Sequence, residues 1–234
     1  MTGVSASSTN ISVIIPALNE AKAIGLALGS TRNCTGVERI VADGGSVDKT
    51  VEVARSFGAK VVHSPRGRAR QMNAGAEAAK GGLLVFLHAD TRLPEGFDNH
   101  IRYIMNQSNA IAGAFELQID APSPGLRIIE QVANWRSRRL QLPYGDQAIF
   151  LRADLFREIG GFPDLPIMED FEFVRRLRSQ GQVVIAPAAA LTSARRWQKL
   201  GALQTTLINQ AVVLAFCLGV DPSRLARWYR RNGT

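Results

Sequence analysis

The sequence predicts an α/β domain, with a mostly parallel central sheet and helices on both faces. Three observations predict it. Short β-branched apolar runs recur through the first half of the chain, helical stretches of roughly a dozen residues separate them, and polar residues follow each run at once. Strands joined through helices need crossover connections, and those bury a parallel sheet on both sides.

Each element follows in order. ISVII (11–15) reads as a buried strand, followed by PALNE and a helical stretch, EAKAIGLALGS. ERIVAD (38–43) is a strand, VDKTVEVARSF (47–57) an amphipathic helix and AKVVHS (59–64) a third strand. GRARQMNAGAEAA (67–79) reads as a helix and LLVFLHA (83–89) as the fourth strand. Beyond residue 94 the alternation loosens. PEGFDNHIRYIMNQ is helical, AIAGAFELQI (110–119) a strand, RIIEQVANWRSRRL (127–140) a basic helix and GDQAIFLR a further strand. MEDFEFVRRLRSQG (168–181) is a helix stopped by glycine, QVVIAP a strand, and an apolar-rich helix fills roughly 198–218. No repeat or low-complexity linker intervenes. Residues 11–197 therefore read as one domain, 198–234 as a C-terminal helical appendage, and 1–10 as a disordered lead-in lacking the apolar core of a secretory signal.

Composition narrows the class. The chain has 234 residues, 46% hydrophobic and 21% charged, as in ordinary globular proteins. Cys34 and Cys217 are far apart and without metal-ligand spacing, so a reducing, cytoplasmic compartment is expected. Residues 1–126 hold 12 Lys/Arg against 11 Asp/Glu, and residues 127–234 hold 16 against 9. Arginine supplies 23 of the 28 cations, and its planar fork suits phosphate recognition better than lysine does. Most of these arginines belong on solvated helix faces. No reader motif or aromatic-interleaved basic face points to nucleic acid. AVVLAFCLGV (211–220) is short of the about 20 apolar residues a spanning helix needs. With SRLARWYRR behind it, that segment suits core packing or the seam of a homodimer. A basic amphipathic element can also rest on an anionic membrane surface, which would suit a lipid-linked acceptor.

In open α/β sheets, ligands bind past the carboxyl ends of the strands. Those ends carry Pro16-Ala17-Leu18-Asn19-Glu20, then Asp43-Gly44-Gly45-Ser46, then Arg66-Gly67-Arg68, then His88-Ala89-Asp90. A shared cleft is the economical explanation. Gly44-Gly45 allow backbone N–H groups to approach a ligand, and Ser46 can cap a helix starting at Val47. Asp90 can cap the following turn or serve as a hard oxygen ligand for Mn²⁺ or Mg²⁺. Glu169-Asp170 open a helix, where carboxylates suit the macrodipole.

Taken together, PALNE, VADGGSVDKT, GRARQMNAGAEAAKGGLLVFLHAD and GGFPDLPIMEDFEFVRRLRSQG resemble a family 2 glycosyltransferase with the GT-A (nucleotide-diphospho-sugar transferase) fold. The likeness runs from about residue 11 to 197. It is most similar to the small cytosolic branch labelled arsenosugar-biosynthesis or radical-SAM/selenodomain-associated glycosyltransferase, where His-Ala-Asp replaces the usual acid triplet. The resemblance implies that Pro16, Ala17 and Glu20 line the nucleotide site and that Asp43 accepts a hydrogen bond from the base. Arg68 and the helix around Asn73 and Gly75 would flank the nucleotide. Asp90 would hold the metal that bridges the diphosphate, with His88 near the ribose or behind the metal. Asp170 would be the general base. Arg195 or Arg196 would neutralise the leaving diphosphate, and Tyr144-Gly145-Asp146-Gln147 would face acceptor or metal. The implied reaction is inverting transfer of a sugar from a nucleotide-diphosphate donor, a UDP-sugar by preference, to an acceptor hydroxyl. A nucleotidyltransferase is the enzyme alternative, expected to carry a glycine-rich loop where this chain has PALNE. A non-catalytic nucleotide-sugar or polyanion-binding module is the other.

Overall fold

The structure, a computed structural model, describes residues 10–32 and 34–232. The lead-in expected over 1–10 lies outside the described residues, Asn10 apart. An eight-stranded sheet runs through the molecule. Its first half is parallel and matches the sequence reading: β1 (Ile11–Ala17), β2 (Val37–Asp43), β3 (Lys60–His63) and β4 (Leu83–Phe86), in spatial order β3-β2-β1-β4. The linking helices are α1 (Ile24–Gly29), α2 (Thr50–Ser56) and α3 (Arg68–Glu77). Every residue of β1 except Pro16 is buried, as a Val/Ile run covered on both faces must be. Ala17 pairs with Asp43, and Asp43 with His63, so consecutive strand exits align along one rim.

The second half departs from the parallel pattern. β5 (Thr91–Arg92), α4 (Phe97–Met105), β6 (Ala110–Asp120), α5 (Pro124–Leu140), β7 (Phe150–Arg152), α6 (Ala153–Glu158), α7 (Glu169–Gln180) and β8 (Gln182–Ser193) complete the domain. The sheet continues from β4 in the order β7-β6-β8-β5, with β4–β7, β7–β6 and β8–β5 antiparallel and β6–β8 parallel. This arrangement requires a curl. In a flat sheet β5 would stand four strand spacings, about 19 Å, from β4. Only residues 87–90 join the two strands, and they close a turn in which His88 O accepts the Thr91 N–H at 3.1 Å. The edge strand β5 therefore folds back toward the end of β4, carrying the far side of the sheet with it.

Three expectations are corrected. GDQAIFLR is not one strand: Gly145–Gln147 form a 3-10 turn, and only Phe150–Arg152 pair. Buried Gln147 explains this. It accepts bonds from Ser137 Oγ (2.8 Å) and the Tyr144 N–H (3.2 Å) and donates to Phe115 O (2.8 Å), side-chain bonds that compete with a ladder. The strand begun by QVVIAP runs on to Ser193. Its register with β6 jumps between Ala114/Ile185 and Glu116/Ala189, so Pro187 sits in a bulge where no ladder donor is required. The helix expected over 198–218 is broken at Gly201 (φ +83°) into α8 (Arg195–Leu200) and α9 (Ala202–Cys217), followed by α10 (Pro222–Asn232).

Helices α1, α2 and α4 pack on one face of the sheet around Ile15, Leu28, Phe97 and Phe115. Helices α3, α6 and α7 pack on the other around Phe86, Phe156, Phe162 and Phe173, whose rings lie 4.1–6.4 Å apart. With core on both faces, the sheet's faces are closed to a ligand, whereas its strand-exit rim is open. Among the described residues no helix is long and apolar enough to cross a membrane.

Candidate active site

A cleft of about 870 Å³ opens at the rim, between the exits of β1 and β4, the start of α7 and the helices that follow β8. It gathers Glu20, Arg68, His88, Asp90, Asp170, Arg195 and Arg196 from the sequence-predicted set. Backbone pairing explains the meeting. Thr91 pairs with Thr192, their hydroxyls 3.0 Å apart in the interior, and the Ser193 N–H donates to Asp90 O at 3.0 Å. The end of β8 is thereby fastened to Asp90, and Arg195 arrives two residues later. Arg195 Nη2 donates to both Glu20 Oε2 and Asp90 Oδ2, each at 3.0 Å. Burial raises the Glu20 pKa against the pull of Arg195, and Asp90 adds to the rise.

Opposite this pair stands α7. Met168 adopts a left-handed conformation (φ +67°) and turns the chain so that Glu169 and Asp170 enter the cleft wall together. Glu169, 3% exposed, accepts a bond from Arg68 Nη1 at 3.1 Å, joining α7 to α3. Asp170 Oδ2 accepts the Gly145 N–H and Oδ1 the Phe171 N–H, both at 2.8 Å. Each carboxylate oxygen keeps a further lone pair for a substrate proton. A Cβ on Gly145 would lie 2.8 Å from His88 Nε2 and 3.0 Å from Asp170 Oδ2. Glycine therefore permits the 3-10 turn to close on both groups. Burial, then the Arg68 charge, lowers the His88 pKa to about 4, so its imidazole is neutral at physiological pH. On the 3-10 turn, Asp146 Oδ1 is buried with no hydrogen-bond partner among the described residues.

Other sequence-predicted residues fall outside the cleft lining. Pro16 and Ala17 end β1, and Asp43, 2% exposed, ends β2. Asp43 has local partners: it accepts the N–H of Gly45 at 3.0 Å and of Ser46 at 3.2 Å. Helix α2 starts at Thr50, so Ser46 is not its cap. Its hydroxyl accepts the Asn19 N–H at 2.9 Å instead. Asn73 and Gly75 do not flank the cleft either. Asn73 exchanges two 2.9 Å bonds with the Phe162 backbone, and Gly75 packs on Ile14. Two residues went unremarked in the sequence. Gln71 donates to Ala17 O (2.7 Å) and Ala42 O (2.9 Å), pinning the two strand exits together. Arg136 stacks 3.6 Å over the Tyr144 ring. A glutamine amid the apolar positions of GRARQMNAGAEAA was the available signal for the first, and a cation four residues before Leu140 gave none for the second.

Among the described residues no group of three or more His, Cys, Asp or Glu is arranged to hold a metal by itself. Asp90 nevertheless offers one hard carboxylate, and Arg195 places a positive charge between it and Glu20. A rim that already draws a cation between two carboxylates fits a divalent ion whose remaining ligands are substrate oxygens and water.

A family model described as glycosyl transferase family 2 matches residues 12–145, which carry the β1, β2 and β4 exits and reach Gly145. The chain belongs to glycosyl transferase family 2. Among relatives of this family 2 chain, an uncharacterized glycosyltransferase of Rickettsia bellii is 37% identical over 100 residues. That stretch is 42% of this chain and 34% of that protein, about a third of its length. S. aureus TarS superposes with a TM-score of 0.65 at 16% identity, covering 87% of this chain and 64% of that one. A mannosyltransferase from Pyrobaculum calidifontis, solved with GDP-Man and Mn²⁺, gives 0.66 at 18%, covering 94% and 69%. These likenesses place the family 2 chain in the GT-A fold expected from its sequence.

Proposed function

We propose that this family 2 chain transfers a sugar, with inversion, from a nucleotide-diphosphate donor to an acceptor hydroxyl. The observation that carries the reading is the convergence of Asp90, Arg195 and Asp170 on one cleft at the sheet's strand exits. Arg68, His88 and Glu20 border the donor end. Pro16, Ala17 and Asp43 continue its rim, where the nucleoside would extend. A Mn²⁺ or Mg²⁺ ion held by Asp90 and the diphosphate would supply charge neutralisation for the leaving group. The Pyrobaculum neighbour with GDP-Man and Mn²⁺ supports a nucleotide sugar and a metal, and TarS, also solved with UDP-GlcNAc, supports a UDP-sugar.

The chain's own residues do the rest. Arg195 keeps a cation beside the diphosphate position as negative charge develops there. Asp170, oriented by two backbone N–H groups, takes the acceptor hydroxyl proton as that oxygen attacks the anomeric carbon. Attack from the face opposite the leaving diphosphate inverts that centre in a single displacement. General-base help of this kind is worth about 10²–10⁴-fold. Turnover of a radiolabelled nucleotide sugar with Mn²⁺ should accordingly fall by about that factor in Asp170→Asn while UDP binding persists. Undiminished turnover would remove Asp170 from the mechanism. Absence of turnover across donors in the native protein would favour the binding-module alternative.

The C-terminal helices support peripheral contact with an anionic membrane. Leu203, Leu207 and Leu214 form one exposed face of α9, continued by Leu218 just past its end, and Arg224, Arg227 and Arg231 are exposed on the adjoining α10.

A further inference from the structure

The far end of the cleft is not used by the donor chemistry. Its wall is made by α8, α9 and α10, and its polar residues there are Arg196, Lys199, Asn209, Tyr229 and Arg230. The cleft's carboxylates, Glu20, Asp90, Asp146, Glu169 and Asp170, all lie at the strand exits, the 145–147 turn and α7. The strand-exit end thus mixes carboxylates with Arg68 and Arg195. The described lining from α9, α10 and the rest of α8 holds cations without a carboxylate, with Val212 and Val213 as apolar wall there.

Arg196 is the group that calls for a ligand. Its neighbour Arg195 faces Glu20 and Asp90, whereas Arg196, about 100° further round the helix, turns to the C-terminal wall. Its Nη1 donates to the Tyr229 hydroxyl, and its guanidinium carbon lies 4.3 Å from the centre of that ring. The opposite edge, Nε with Nη2, is buried and has no hydrogen-bond partner among the described residues. Elsewhere in this protein the same edge does what its geometry suits: Arg70 grips Asp164 through Nε at 2.9 Å and Nη2 at 2.8 Å. A buried guanidinium with an idle fork is costly, and an anion would relieve that cost.

We propose that Arg196 is the bidentate ligand of an anionic group, a phosphate or phosphate ester, carried by the acceptor. This assignment rests on the donor reading above and names the acceptor class for the same cleft. Lys199 and Arg230 add positive charge at that end, and Val212 and Val213 pack against the acceptor's apolar part. Solvent does not touch Nε or Nη2, so the atoms packed over that edge must shift for a phosphate to reach it. Burial, then the Arg68 charge, lowers the Arg196 pKa, in keeping with a cation short of counter-charge.

The test uses the full chain saturated with UDP and Mn²⁺, so that the donor diphosphate position is filled, and titrates phenyl phosphate by calorimetry. Phenyl phosphate should still bind. Arg196→Gln should weaken it by about tenfold or more and leave UDP affinity unchanged. Arg196→Lys, which keeps the charge without the fork, should fall between, and it covers the case of a poorly folding glutamine variant. Competition between phenyl phosphate and UDP, or loss of UDP affinity in Arg196→Gln, would overturn the assignment and place Arg196 on the donor. If UDP does not bind but phenyl phosphate binds through Arg196, the donor reading falls and the anion site stands. Flotation with phosphatidylcholine vesicles, with and without phosphatidic acid, separates the sources. An Arg196-dependent gain there identifies a lipid-borne phosphate, and a response to phenyl phosphate alone identifies a soluble one.

Discussion

Asp146 lines the cleft with one buried carboxylate oxygen that has no partner among the described residues, and its pKa is raised from 3.8 to about 6. Burial is the largest cause. Arg136 opposes it, while Asp170 and Asp90 add to it. A carboxyl whose folded pKa lies above its unfolded one leaves stability intact below the unfolded pKa and removes it as pH rises through the folded one. Asp146→Asn should therefore raise the melting temperature at pH 8 by more than at pH 5, the full gain being on the order of 2–3 kcal/mol. An equal effect at both pH values would show that the carboxylate is not strained. The acids most visible in the sequence were those at element ends, His88-Ala89-Asp90 and Glu169-Asp170, because hydrophobic periodicity marks such ends. The partners were not visible. Arg68 is 101 residues from Glu169, and Arg195 is 105 from Asp90, so only the fold brings them together.

Helix α3 shows how an element sets the site. Its residue Gly75 lies against Ile14 of β1, and a Cβ there would come within 2.4 Å of Ile14 Cγ2. Ile14 is fully buried and β-branched, so it cannot swing away. The close approach fixes α3 on the sheet and with it Arg68, the first residue of the helix, at the cleft. Alanine has better helix propensity than glycine by about 1 kcal/mol, yet overpacking costs about 1–3 kcal/mol. Gly75→Ala should thus lower thermal stability by calorimetry; a stabilised variant would mean that the helix floats free of β1. At this scale the parallel half of the sheet was readable because its strands are short apolar runs separated by helices. The other half was hidden by local chemistry: buried Gln147 ends the expected strand early, and Pro187 looks like a strand end but occupies a bulge.

The whole molecule is electrically lopsided, near balance over 1–126 and strongly basic over 127–234. Folding does not spread that excess evenly. Arg70, Arg92, Arg102, Arg138 and Arg152 are each matched to a carboxylate, and α10 gathers four arginines, Arg224, Arg227, Arg230 and Arg231, on one short helix. Beside it, α9 turns Ile208 and Val212 inward and Leu203, Leu207 and Leu214 outward, with Leu218 just past its end at 75% exposure. Residues 203, 207, 214 and 218 fall within about 60° of one another around a helix, so this is one ridge rather than scattered exposure. Exposed leucines on α9 and exposed arginines on the adjoining α10 supply the two components that an anionic bilayer surface attracts, each arginine near it contributing about 1 kcal/mol. The protein should then float with phosphatidylglycerol vesicles and remain behind with phosphatidylcholine, and salt should weaken the association. Leu207→Asp with Leu214→Asp should abolish flotation while leaving UDP binding intact, because neither residue lines the cleft. If the native protein instead sediments as a dimer that these substitutions split, with no vesicle binding at any salt, the ridge is a seam between copies of the chain.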